Sequence, residues 1–200
     1  AEGCSVREKV KAIYVGVSRL AGRSRPENTA LTAQQAFELR SKRTGISCAG
    51  CTHLFVALCR ATKIDAWVVE VVEDVGGKRV TSDQDTKVIA QVCPMVRLDR
   101  DLFLVDPTYD LFPAAYRKIT VLDDVQATAL HMASKAQSLV DTNPTAGLPV
   151  AQVAAKLYPE SFFAHFALAT CLDRLDRRPL AKKEAEICLT IDPNSPLAHI

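Results

Sequence analysis

The sequence predicts an α+β fold: a helical N-terminal layer packed on a short antiparallel sheet, with a helical segment after it. Three observations predict it. Apolar residues recur at helical spacing before residue 62. Runs of β-branched residues, broken by turn formers, occupy 64–105. Beyond residue 121 the periodicity is helical again. The chain has 200 residues, enough for one ordinary domain and an appendage, and its 48% hydrophobic content is that of a globular protein.

The elements follow in order. Val6, Val10, Ile13, Val17 and Leu20 line one face of a helix over 5–20, and Ser5 with Glu8 fits a capping box. The segment 21–28 is turn-rich. Thr32 caps a second helix over 32–43, which Gly45 breaks. Cys48 to Thr62 is almost uncharged and carries Leu54, Phe55, Leu58 and Cys59 near helical spacing, as a buried central helix would. Residues 64–75 are strand-like and end at Gly76-Gly77. Val88–Leu98 and Leu102–Val105 predict a hairpin around Asp99-Arg100-Asp101. Pro94 inside the first of these strands predicts an edge or a bulge. Trp67 is expected in the core. Residues 121–140 are helical, and Asn143–Gly147 has linker composition.

Charge and composition narrow the function classes. A formal charge of +2 offers no broad basic field for nucleic acid, and Arg19, Arg23 and Arg25 flank an exposed loop. No run of eighteen apolar residues predicts a membrane span. The first residues show no signal peptide, and the missing initiator Met leaves a removed leader open. The seven cysteines, 4, 48, 51, 59, 93, 171 and 188, are odd in number and unevenly spaced. That pattern favours a cytoplasmic-type chain with buried or reactive thiols over a disulfide scaffold. Cys48-x-x-Cys51 is also compatible with a redox pair, and Asp106 before Pro107 with a simple turn cap.

Two separated motifs carry a resemblance. The stretch Gly45-Ile46-Ser47-Cys48 through Leu58-Cys59-Arg60-Ala61, followed by Ile64-Asp65-Ala66, is one. Met95-Val96-Arg97-Leu98 with Phe103-Leu104-Val105-Asp106-Pro107-Thr108 is the other. Together they resemble the core of the transglutaminase-like, papain-like thiol superfamily over about residues 5–125. The resemblance implies a cysteine-protease-like core with a central helix, a nucleophile at Cys48 and an orienting carboxylate at Asp106. In such a site a helix N-terminus and an imidazolium acidify the thiol, and backbone N–H groups hold an oxyanion. The family's histidine does not carry over: its place, counted back from Asp106, falls on Gln91. Glutamine cannot shuttle the proton. His53 lies five residues along the central helix, turned away from Cys48, while His131, His165 and His199 lie far along the chain.

The tail carries an internal echo. Pro159, Ser161, Ala164 and His165 recur as Pro193, Ser195, Ala198 and His199, at the tetratricopeptide period of 34 residues. The segment from 149 onward therefore resembles a tetratricopeptide repeat. The expected organisation is a transglutaminase-like domain over 1–142 and a helical repeat segment over 143–200. Two functions compete: a thiol acyl-transfer or amide-hydrolysing enzyme whose triad lacks its base, and a non-catalytic module binding a protein or peptide through the cleft and the tail. No cofactor or metal is expected.

Overall fold

The computed structural model describes residues 4–22, 30–41, 45–71, 91–116 and 119–193. The fold is α+β, with one five-stranded antiparallel sheet among the described residues. The chain forms two compact units, Ala1–Asp123 and Asp124–Ile200. Among the described residues no helix is long and apolar enough to cross a membrane.

In the first unit, α1 (Val6–Ser18) opens on the expected capping box. The Ser5 hydroxyl accepts from the Glu8 amide, and Glu8 Oε2 accepts from the Ser5 amide at 2.7 Å. Val10 and Val17 are buried on the face toward the core. A second box, Thr32 with Gln35, starts the short α2 (Ala33–Glu38), which tightens into a 3-10 turn at Leu39–Ser41. The remaining residues of that predicted helix, 42 and 43, lie outside the described residues. Helix α3 (Cys48–Ala61) follows and packs against α1, α2 and the sheet. Its apolar residues Leu54, Phe55 and Cys59 are buried, so it is central, as its composition predicted. The helix ends where Lys63 takes a left-handed backbone, φ 61°. The amide of Ile64 then donates back to the Cys59 carbonyl.

The sheet runs β4-β3-β2-β1-β5. β1 is Ala66–Val71, β2 Gln91–Leu98, β3 Asp101–Asp106, β4 Leu111–Ala114 and β5 Ile119–Val121. The expected continuations over 72–75 and 88–90 lie outside the described residues. The hairpin turns on Asp99 and Arg100 alone, with Asp99 at φ 57°, while Asp101 already pairs with Leu98. Trp67 is half-buried, with the Arg97 guanidinium 5.5 Å from its ring centre.

Pro94 corrects an expectation. It stands buried in β2, the middle strand, opposite Val68, and not at an edge. The Arg97 amide donates to the Asp65 carbonyl, so odd-numbered residues of β2 turn their N–H toward β1. Pro94 therefore lacks its donor only on the β3 side, next to Met95↔Leu104, where the β2–β3 pairing stops. A proline is tolerated in mid-sheet because one of its ladders has already ended.

The second unit holds α4 (Asp124–Leu139), α5 (Pro144–Leu157), α6 (Phe162–Arg174) and α7 (Arg178–Ile191). Here two expectations are revised. The segment Asn143–Gly147 is the start of a helix, not a linker: Asn143 caps it and Pro144 takes the first turn. The boundary falls at Asp123, not at 142, because α4 packs on α5 and α6. Their shared core is built of small residues, with Ala133, Ala136, Ala151, Ala154, Ala164 and Ala167 all buried. Gly147 belongs to it, since a Cβ there would lie 3.2 Å from the Ala136 carbonyl oxygen and from Cys171 Sγ.

The second copy of the 34-residue echo lies, beyond residue 193, outside the described residues. Helices α5 and α7 have the same length, and each starts and ends 34 residues from the other. Each is closed by an amide, Tyr158 or Asp192, donating to the carbonyl four residues earlier. His165 is a structural tie: its ring nitrogens meet Glu184 Oε2 at 2.7 Å and the Pro159 carbonyl at 2.9 Å.

Candidate functional site

The site is built where the first turn of α3 meets the sheet. The Ile46 amide donates to the Leu20 carbonyl at 3.0 Å, anchoring the approach to α3 on the segment after α1. Ser47 caps the helix by accepting from the Gly50 amide, so Cys48 is the first helical residue. The end of the β2–β3 ladder at Pro94 leaves the backbone of Val92 available to this turn. The Val92 carbonyl accepts from the buried Thr52 hydroxyl at 3.0 Å, and the Val92 backbone also hydrogen-bonds the Cys48 thiol.

Asp106 ends β3 and is 2% exposed. Its Oδ1 accepts from the amides of Thr108 (3.0 Å) and Tyr109 (3.2 Å), and its Oδ2 from the Tyr116 hydroxyl. The two amide contacts agree with the turn-cap reading of Asp106. Cys93, in β2, is acted on by the Asp106 charge. Cys93 is buried with Val69, Met95, Ala114 and Tyr116. Gln91 begins β2, opposite Val71. Its side chain lies outside the described residues.

Electrostatics overturn one expectation. The Cys48 thiol is not acidified: burial pushes it up, and the Asp106 carboxylate pushes in the same direction. Backbone hydrogen bonds at Ala49, Val92 and Cys48 itself oppose this without outweighing it. Among the described residues, none of the groups that shift the thiol is a histidine or any other cation. The helix N-terminus supplies only a partial positive charge, and it faces a nearby full negative one.

The neighbouring thiols behave alike. Burial, then the Cys48 sulfur, drives Cys51 up to about 12. Burial, then Asp106 and Cys48, drives Cys93 up as well. Cys51 and Cys59 are fully buried, as packing residues would be.

Three of the four histidines fall among the described residues. His53 Nδ1 lies 3.4 Å from the Leu31 carbonyl oxygen. His131 belongs to α4 and His165 to α6, both in the second unit, while His199 lies outside the described residues. Among the described residues no group of three or more His, Cys, Asp and Glu side chains is arranged to hold a metal ion.

The Asp106 charge acts on the Cys48 thiol, and Cys51, Cys93, Thr108, Tyr109 and Tyr116, which the sequence reading did not assign to the site, interact with one or both of these residues. The Asp-Pro-Thr turn was a usable signal for Thr108 and Tyr109. Tyr116, ten residues from its partner across an intervening strand, had none. No family model, no curated protein and no solved structure matches the chain.

Proposed function

We propose that the first unit is a transglutaminase-like domain of the thiol acyl-transfer and amide-hydrolysis class, with Cys48 at the nucleophile position, and that it does not turn over substrate as the chain stands. The resemblance of the two motifs carries the class. The observation that carries the loss of turnover is electrostatic. Cys48 starts a helix and its thiol is pushed up by burial and by the Asp106 charge, with no cation from the described residues among the groups acting on it. Attack on an amide needs the thiolate, and departure of the amine needs a proton donor.

The test is an assay of ammonia release and amine incorporation on glutamine-containing peptides. Background rates are expected for the chain as written, and Gln91→His should raise them. Turnover by the unaltered chain that disappears in Cys48→Ala would overturn the reading.

A second reading has its own support. The matching lengths, matching closing amides and 34-residue offset of α5 and α7 favour a tetratricopeptide-like array. Such an array suits a protein- or peptide-binding role. A peptide-library screen against the full chain tests it: bound peptides displaced by substitutions on α5 or α7 are expected, and their complete absence counts against it.

A further inference from the structure

We propose that Cys48 and Cys51 form an oxidation site, closing an intrahelical disulfide by exchange with a low-molecular-weight disulfide such as glutathione disulfide. This goes beyond the acyl-transfer reading and stands apart from it, since its test reads a covalent bond and not turnover.

The geometry allows the bond. Residues three apart in an α-helix have Cα atoms about 5 Å apart, inside the ~4.4–6.8 Å span of disulfides. The two sulfurs already act on one another electrostatically. Exposure assigns the order of events. Cys48 keeps part of its surface in solvent, whereas Cys51 and Cys93 are buried. The Cys51 thiol reaches the Ile46 carbonyl only at 3.9 Å and also meets the Thr108 side chain, contacts it must give up to close the bond.

The chemistry balances. Cys48 loses its proton to solvent, and its sulfur attacks one sulfur of glutathione disulfide. That S–S bond breaks, and one glutathione leaves. Cys51 then loses its proton and attacks Cys48 Sγ in the mixed disulfide, expelling the second glutathione. Two protein thiols give up two electrons and two protons, and one small disulfide becomes two thiols.

Burial shapes both rate and equilibrium. Both thiols are pushed up, so the exchange is slow near neutrality and quickens with alkali. The same burial removes the thiolate stabilisation that makes some Cys-x-x-Cys pairs strongly oxidising, so the closed bond is hard to reduce. Once closed, it withdraws Cys48 from any nucleophilic role.

The experiment incubates the full chain with glutathione disulfide at mildly alkaline pH, blocks free thiols and digests with chymotrypsin without reductant. Cleavage after Leu54 and Phe55 separates Cys48 and Cys51 from Cys59. The expected product is a peptide holding Cys48 and Cys51, lighter by two hydrogens, unblocked, and restored by a strong reductant. Cys51→Ser should instead retain glutathione on Cys48. A lasting mixed disulfide on the unaltered chain, a bridge from Cys48 to Cys93, or two blocked thiols would each overturn the proposal. The mapping of the unaltered chain decides even where the variant fails to fold.

Discussion

The Tyr116 hydroxyl donates to Oδ2 of Asp106, so the carboxylate is engaged on both oxygens. Oδ1 is taken by the turn that leaves β3, Oδ2 by a residue of the chain returning past β4. The carboxylate is held as a structural acceptor. After burial, the larger cause, its charge also makes ionisation of the Cys48 thiol harder.

Tyr116→Phe should therefore destabilise the first unit. A buried carboxylate oxygen would lose a charge-assisted donor, at a cost of roughly 1–3 kcal/mol. A lowered urea midpoint with an unchanged slope is expected. An unchanged midpoint would show that the contact adds nothing.

Asp106→Asn should speed alkylation of Cys48. Burial, the larger cause, stays, but removing the negative charge takes away one of the effects that push the thiol up, and the rate at pH 8 should rise by about two- to fivefold. In a working triad the same change slows the nucleophile, because it disturbs the base that activates it. The direction of the effect separates the two cases.

Gly147→Ala tests the small-residue core of the second unit. Alanine favours a helix, but its Cβ would press on the Ala136 carbonyl oxygen, fixed within α4, and on Cys171 Sγ. Overpacking at two contacts should exceed the propensity gain, leaving a net loss of about 1 kcal/mol. Thermal unfolding would show a lower midpoint, and a higher one would mean that α4 yields.

Alkali should weaken the first unit. Burial drives the Cys51 and Cys59 thiols from an ordinary 9.0 up to about 12. Their neutral form is therefore favoured in the folded state, and stability is complete below the unfolded value near 9. It falls as pH rises from there toward 12, because the unfolded chain releases protons that the folded one keeps. Urea midpoints measured from pH 7 to 10.5 should decline above pH 9. Flat midpoints would show that these thiols ionise normally in the fold.

What was legible in the sequence was local. Ser5 and Glu8 announce α1, Thr32 announces α2, and Asp106-Pro107 ends β3, because capping and turn chemistry depend on residues a few positions apart. The apolar run after Cys48 marks a central helix for the same reason. What was not legible depends on distant partners. β4 and β5 have four and three residues, and only pairing with β3 and β1 makes them strands. Pro94 argues against a central strand until the neighbouring ladder is known to end beside it. The state of Cys48 depends on a carboxylate 58 positions away. A helix start alone suggested acidification, and the folded chain reverses it.

The most direct measurement of the central claim is the rate of iodoacetamide labelling at each cysteine against pH, read by mass spectrometry. Cys48 should label more slowly than the exposed Cys4 at pH 7, and its rate should keep climbing above pH 9. A Cys48 that labels fastest at pH 7, with a rate already level there, would show an activated thiolate and contradict the account.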